Sequence, residues 1–378
     1  MASAYLRPFL NRNNSLEKNL GYSDSELQKL SKNRPYRNGY SIWATWESER
    51  TSFGKTFRKM VKYPRFLPLF FSSDHYVDVM TSFRNNEANP TYPLYLTWNE
   101  EKCLKLRKKH NVKSIHVQHP WIAYRRKKFS ERNPDAMGTI IFWPHSSAHL
   151  NVSLNLEKAK AILDEVPDKY KPVSICLSAY DIQIGLVEKI RSIGFPIYTV
   201  GNVHDQRFVD RFYHLVNKFK FAGGFFTGSH VYYCHEFGVP YLALDSSIVT
   251  MTSIGSDVIE DGDFDLLAKD YPDAAQRSVF DDWYSQMREY SDEVSGSQLI
   301  FAQNQLGCTS STSIWTIRRY VYYALLTNIY RIPQLYLAYF YMGIKKLLKF
   351  ECGCSMRNLA TRFHNGKLTE DRDYAKRN

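Results

Sequence analysis

The 378-residue sequence has no long uninterrupted apolar run and few cysteines. A membrane-spanning helix needs about 20 consecutive apolar residues, and the most apolar stretch is divided by Arg331 and Pro333. The N-terminal residues lack the apolar core of a signal peptide, so secretion is not expected. The six scattered cysteines have neither a disulfide-framework spacing nor a zinc-ligand spacing. We therefore expect reduced thiols in a cytosolic protein.

Signatures of nucleic-acid binding are also absent, although the formal net charge is +12. We find no zinc spacing, no RNP-like strand and no helix-turn-helix pattern. The positive charge gathers at residues 125–128 and in the C-terminal part rather than on one amphipathic face. We expect no nucleic-acid partner, and the basic charge then favours a phosphorylated ligand or anionic lipid.

Short apolar runs alternate with helical patterns along most of the chain, which predicts βαβ units around parallel sheets. The first group has predicted strands at 40–45, 65–72, 92–98 and 114–118, with helices at 52–63 and 100–110. A charged stretch at 125–135 has the composition of a linker. The second group has predicted strands at 138–144, 173–178, 196–202, 223–227 and 241–244, with helices at 155–166, 182–194, 206–219 and 229–238. Gly194 and Gly238 stand where two of these helices need a C-cap.

These patterns predict an α/β protein with two Rossmann-like domains. We place the first domain at residues 39–130 and the second at residues 136–312. A polar lead-in occupies residues 1–38, and residues 313–378 form amphipathic aromatic and basic helices with a polar tail.

Polar residues follow the predicted strands of the second domain, where parallel sheets bind ligands. The candidate ligand-binding residues are His145, Ser146, Ser147, Gly201, His204, Asp205, Thr227, Gly228, Ser229 and His230. Gly228 and the amides of Ser229 and His230, which open the next helix, predict an anion-binding site, called the donor seat below. The alternative is an ordinary helix N-cap at Thr227 or Ser229. His204 and Asp205 can likewise be a helix cap, and Asp181 has the position of one.

Three stretches carry a family resemblance: GTIIFWPHSSAH, TVGNVHDQRFVDRFY and FFTGSHVYYCHEFGVPYLAL. Together they resemble the nucleotide-binding half of GT-B glycosyltransferases, and most closely bacterial enzymes of capsular or surface polysaccharide synthesis. FFSSDHY at 70–76 is similar to the Ser-Asp-His segment of the acceptor half. The resemblance covers residues 40–310 and implies two domains facing a cleft. It also implies a nucleotide-sugar donor and a glycan or lipid-linked acceptor.

In such a cleft, the departing donor phosphate is stabilised by helix-end amides and polar side chains. The acceptor hydroxyl needs a general base from the first domain, for which Asp74 and His75 are the first choice and Glu47 the second. No Asp-x-Asp motif stands at a suitable strand end, and the acidic turn at 261–265 is more typical of a solvated loop. We therefore expect neither a metal nor another cofactor. Glu236 lies in the middle of a predicted helix, so we expect a structural role for it.

The C-terminal stretch 314–350 combines many aromatic residues with Arg and Lys, and no acidic residue occurs between Glu293 and Glu351. This pattern favours contact with an anionic membrane surface and a peripheral location on its cytoplasmic face. The alternative is a set of closing helices packed on the first domain. Two other functions stay open: a polyol-phosphate transferase of cell-wall polymer synthesis with the same donor seat, and a non-catalytic membrane scaffold.

Overall fold

A computed structural model describes residues 21–32, 53–74, 77, 93–146, 150–203, 205–253, 281–333 and 337. The helices are α1 (Asp24–Ser31), α2 (Phe53–Val61), α3 (Glu100–His110), α4 (Pro120–Lys128), α5 (Leu156–Asp164), α6 (Ala179–Gln183), α7 (Val187–Arg191), α8 (Phe208–Val216), α9 (Ser229–Glu236), α10 (Gly296–Gln305) and α11 (Ile314–Thr327). The strands are β1 (Ser72–Ser73), β2 (Tyr95–Thr97), β3 (Ser114–His116), β4 (Thr139–Phe142), β5 (Leu150–Leu154), β6 (Val173–Leu177), β7 (Ile197–Thr199), β8 (Phe221–Gly224), β9 (Tyr241–Ala243) and β10 (Val249–Ser253). The predicted strand at 40–45 and the acidic turn at 261–265 lie outside these residues.

The larger sheet has five parallel strands in the order β7-β6-β4-β8-β9. All five strands were predicted, because each is a short apolar run between helical patterns. The chain starts at β4, moves outward to β7, and then returns to the other side of β4 to form β8. The strand order therefore reverses between β4 and β8, which is the topological switch point where α/β sheets usually bind ligands.

The smaller sheet consists of β1, β2 and β3 in that order, all parallel. The predicted strand at 65–72 contributes only its last residue to this sheet. Residues 65–71, which lead into β1, do not form strand hydrogen bonds. A two-stranded antiparallel pair, β5 with β10, was not predicted. Its strands, LNVSL and VTMTS, mix polar and apolar residues and carry no strong periodic signal.

The predicted linker at 125–135 is wrong in its first part, which is the end of helix α4. His119 caps this helix by accepting a hydrogen bond from the Trp121 amide (3.2 Å), and Pro120 occupies its first turn. One face of α4 is buried, including Arg125, which forms an ion pair with Glu236 of α9. The charge run indicated a solvated stretch because its partner carboxylate is remote in sequence.

The single helix predicted at 182–194 is interrupted, and its place is taken by α6 and α7. Gly185 between them has a φ of +86°, which ends the first helix in the left-handed conformation that favours glycine. Gly194 and Gly238 both have positive φ values, +89° and +74°. Gly238 directly follows the C-cap residue Phe237 of α9, as predicted, whereas the C-cap of α7 is Ser192 and Gly194 lies two residues beyond it.

The two sheets share one large hydrophobic cluster, which includes Leu96 of β2, Ile140 of β4 and Val231 of α9. α1 packs on the larger sheet, where the Tyr22 amide donates to the Ile197 carbonyl (2.7 Å). After α10 the chain returns to the smaller sheet. There the hydroxyl of Ser310 donates to the carbonyl of His116 (2.8 Å).

α11 packs against α2 in the first half of the chain, and its buried residues join the shared cluster. Tyr322 of α11 and Tyr63, which follows α2, have ring centroids 5.2 Å apart. α11 is thus a closing helix over part of its surface. Among the described residues, no helix is both long and apolar enough to span a bilayer.

Candidate functional site

The candidate site lies at the carboxyl ends of β4 and β8, on either side of the switch point. His145 and Ser146 follow β4, and the segment 227–230 follows β8 and opens α9. The Phe142 ring at the end of β4 lies 4.6 Å from the His230 ring, centroid to centroid. The fold thus brings together two of the four polar loops predicted for this sheet.

The N-terminus of α9 is not closed by a side-chain cap. Gly228 is the N-cap residue, and neither Thr227 nor Ser229 caps the helix, so the alternative of an ordinary side-chain cap is wrong. The Val231 amide donates to the Gly228 carbonyl (3.0 Å), whereas the Ser229 and His230 amides have no partner among the described residues. Unpaired amides at a helix start favour an anion.

Gly228 has an extended backbone, with φ near −145°, and so does not need glycine for its conformation. A Cβ atom at this position would lie 3.2 Å from Nδ1 of His230, which is a tight contact. The glycine therefore keeps room beside the imidazole at the mouth of the helix.

His230 is held by Tyr241 of β9, whose hydroxyl lies 2.8 Å from Nε2 of the imidazole. Burial, together with a smaller effect of the nearby His145, lowers the pKa of His230 to about 3. The imidazole is therefore neutral at pH 7, with Nδ1 facing the glycine turn. Tyr241 was not among the predicted site residues, because its position in β9 is that of a core tyrosine.

His145 is exposed, and its Nδ1 lies 3.1 Å from the carbonyl oxygen of Ser146. Ser146 is buried, and its hydroxyl is engaged with the backbone of Val152, accepting from the amide at 3.0 Å and donating to the carbonyl at 3.3 Å. His145 is therefore available to a ligand, whereas Ser146 fixes the loop that carries it. Ser147 lies outside the described residues.

Asp181 holds the β4 loop instead of capping α6. The predicted cap role is wrong, because Ser178 is the N-cap and accepts from the Asp181 amide. Its carboxylate accepts from the Ser146 amide (3.1 Å) and from the Ser178 hydroxyl (2.7 Å). Burial raises the pKa of Asp181 above its ordinary value, although both hydrogen bonds and His145 act against this. The sequence places Asp181 in the polar loop after β6, and the pairing of β4 with β6 connects that loop with the site.

The first half of the chain meets the site at Ser229. The hydroxyl of Ser229 accepts a hydrogen bond from the Val77 amide (3.0 Å) and is 3.4 Å from the Val77 carbonyl. Val77 follows β1 by a few residues, so the end of β1 runs toward the N-terminus of α9. His75 and Glu47, two of the three predicted bases, lie outside the described residues.

Asp74, the third predicted base, is buried, and both of its carboxylate oxygens already have protein partners. It accepts from the Tyr95 hydroxyl (3.0 Å), the Thr97 hydroxyl (2.6 Å) and the Trp98 amide (3.3 Å). It also pairs with the Lys102 ammonium at 2.6 Å. These contacts join β1, β2 and α3, so the geometry of Asp74 is that of a structural carboxylate.

The loop after β7 lies at the far edge of the sheet, and its polar groups are satisfied by the protein itself. Asp205 pairs with Arg211 (2.8 Å) and accepts from the Arg207 amide (2.8 Å). Gly201 has a φ of +89°, and a Cβ there would lie 2.9 Å from the Leu30 carbonyl oxygen of α1. Gly201 and Asp205 are thus not brought to the switch point, and His204 lies outside the described residues.

Two further predictions concern the role of Glu236 and the presence of a metal ion. Glu236 is buried and accepts from Nε of Arg125 (3.0 Å) and Nε of Arg126 (3.1 Å), which confirms a structural role. Within the described part of the chain, no group of three or more His, Cys, Asp or Glu side chains is placed to hold a metal ion. Comparisons of the chain with known protein families, curated proteins and solved structures found no match.

Proposed function

We propose that the protein is a glycosyltransferase that moves a sugar from a nucleotide-sugar donor to an acceptor hydroxyl. The observation that carries the proposal is the arrangement at the carboxyl ends of β4 and β8. There the amides of Ser229 and His230, which have no partner among the described residues, lie beside the His230 imidazole and the exposed His145. Backbone amides and imidazoles are suitable donors for the phosphate oxygens of a nucleotide.

The chemistry requires stabilisation of a leaving phosphate. The bond between the anomeric carbon and the phosphate oxygen breaks, and the phosphate takes the electron pair and gains negative charge. The acceptor oxygen forms the new bond to carbon and loses its proton to a base. Donors already fixed at the end of α9 stabilise the growing charge without rearranging, and this part of the reaction needs no metal.

The acceptor enters from the side of the smaller sheet, because the segment after β1 reaches Ser229 through Val77. The base stays a prediction. Asp74 is suited to positioning this segment, since its carboxylate already has four partners. His75 is therefore the preferred base in this proposal, with Glu47 as the second candidate.

The acceptor class in this proposal is a growing surface glycan or a lipid-linked sugar. An enzyme acting on such an acceptor works at the cytoplasmic face of a membrane, without spanning it. A polyol-phosphate transferase would use the same seat. Mass analysis of the product separates the two activities, because only the second one leaves a phosphate on the acceptor.

Calorimetric titration with CMP, UDP, GDP and their sugar conjugates tests the donor seat. We expect one nucleotide class to bind the wild-type protein. The double variant Ser229→Ala with His230→Ala keeps both backbone amides but removes the His230 imidazole and the hydroxyl that bonds to Val77. It should weaken that binding by at least about tenfold, since a hydrogen bond to a charged group contributes roughly 1.5–3 kcal/mol. The single variant His145→Ala, at an exposed position, should weaken it by a similar factor with little effect on folding.

A matched control removes the same residue types elsewhere, as Ser192→Ala with His214→Ala. Ser192 follows α7 and bonds to the Lys189 carbonyl, and His214 bonds to the Asp210 carbonyl. Nucleotide affinity should not change in this control. The proposal fails if no nucleotide binds the folded protein, or if the seat variants bind as tightly as the wild type.

A further inference from the structure

α11 has two apolar faces, and the described residues cover only one of them. The covered face packs into the shared hydrophobic cluster through Ile317, Val321, Ala324 and Leu325. The other face carries Trp315, Tyr323 and Leu326, whose exposed fractions are 74%, 53% and 65%. These positions follow each other at 8 and 3 residues, so they lie along one side of the helix.

Cations lie directly against this exposed face. The Arg318 guanidinium is 4.7 Å from the centre of the Trp315 ring, and the Lys113 ammonium is 3.6 Å from the centre of the Tyr323 ring. Arg319 is also exposed, between Trp315 and Tyr323. No acidic residue occurs in the sequence from 294 to 350, so α11 itself combines large apolar side chains with positive charge alone.

We propose that this docking face, formed by Trp315, Arg318, Arg319, Tyr323 and Leu326, binds the surface of an anionic lipid bilayer. Aromatic rings and Leu side chains are stable at headgroup depth, and Arg and Lys attract anionic lipid at about 1 kcal/mol each. The charge argues against a second copy of the chain as the occupant. A two-fold contact would bring the same arginines of both copies together, and the stretch offers no carboxylate to balance them.

The docking face also orients the molecule, and this step rests on the proposed function. α11 packs on α2, in the half of the chain that we assign to the acceptor. Binding through α11 therefore places the acceptor half next to the bilayer. A lipid-linked acceptor would then reach the cleft from the membrane side.

Vesicle flotation tests the docking face with the full-length protein. We expect binding to vesicles of phosphatidylcholine mixed with phosphatidylglycerol, weakening as salt is raised, and little binding to phosphatidylcholine alone. The variant Arg318→Gln with Arg319→Gln should bind the mixed vesicles at least about tenfold more weakly than the wild type does. The variant Trp315→Ser with Leu326→Ser should show a similar loss.

Phe66→Ser is the matched control, because Phe66 is 70% exposed but lies outside α11. It should bind vesicles as the wild type does. Equal binding by the α11 variants overturns the proposal, as does a concentration-dependent dimer that Trp315→Ser with Leu326→Ser abolishes. Nucleotide titration without vesicles separates the two proposals, because the α11 variants should keep wild-type affinity even if lipid binding fails.

Discussion

The carboxyl edge of the larger sheet differs between the edge strand β7 and the central strands β4 and β8. In the loop after β7, the polar groups are bound by other parts of the protein. Arg211 neutralises Asp205, and α1 packs against Gly201. At β4 and β8, the amides of Ser229 and His230 are left without partners among the described residues. The loops at both places carry the polar residues that indicate a ligand site in sequence.

The difference shows that residue type at a strand end does not distinguish a binding loop from a structural one. Two buried aspartates make the point. At Asp205, burial alone would raise the pKa, but Arg211 and the Arg207 amide outweigh it and the pKa lies below the ordinary value. At Asp181, no cation is paired with the carboxylate among the described residues, and burial raises the pKa. The first loop is thus closed by charge pairing, and the second is held by hydrogen bonds only.

The largest effect that follows from this comparison is on stability at the loop after β7. Asp205→Asn removes the partner of Arg211, which is itself mostly buried. Leaving a buried charge unpaired should reduce the free energy of unfolding by about 3 kcal/mol. Urea denaturation at pH 7 measures the loss, and nucleotide affinity should be that of the wild type.

The pH dependence of the same variant checks the cause. The lowered pKa means that Asp205 stabilises the fold above its ordinary value of 3.8, and that this contribution is lost as the pH falls through the folded value. The difference between wild type and variant should therefore shrink below about pH 4. A difference that stays constant on acidification would show that packing, not charge, is responsible.

The next effect concerns the contact between Gly201 and α1. Gly201→Ala should cost about 2 kcal/mol, because the residue has a φ of +89° and its Cβ would meet the Leu30 carbonyl and the Arg211 guanidinium. Gly296→Ala is a suitable control, since its Cβ would have no neighbour within 4 Å. Equal stability of the two variants would contradict close packing of α1 on this loop.

A smaller effect is expected at β4 and β8, on binding rather than on folding. Tyr241→Phe removes the hydroxyl that orients Nε2 of His230. Nucleotide affinity should fall about fivefold, which corresponds to roughly 1 kcal/mol. Tyr290→Phe serves as the control, because Tyr290 is partly exposed and packs on Tyr170 instead. Unchanged affinity in Tyr241→Phe would remove His230 from the seat.

Much of the fold could be predicted from the sequence, because the βαβ alternation of the larger sheet is a local pattern with its own stop signals. The errors share a different origin. The charge run that contains Arg125 was predicted to be a linker, because the partner of Arg125, Glu236, lies 111 residues away in sequence. Asp74 resembled a base, yet its partners come from β2 and α3. The packing of α1 on the β7 loop is also non-local, so no pattern within either segment reports it.

The smallest effect is expected at Asp181, and it is the sharpest contrast with Asp205. Asp181→Asn keeps an oxygen that can accept from the Ser146 amide while removing a charge that burial disfavours. Stability at pH 7 should change by no more than about 0.5 kcal/mol, since the lost carboxylate had no cationic partner to strand. Because the folded pKa is raised, the wild type gains stability relative to the variant as the pH falls toward 3.8. Urea denaturation at pH 7 and pH 4 measures the difference in the free energy of unfolding between wild type and variant at each pH. A loss at pH 7 as large as that of Asp205→Asn would mean that the β4 loop depends on charge pairing as the β7 loop does.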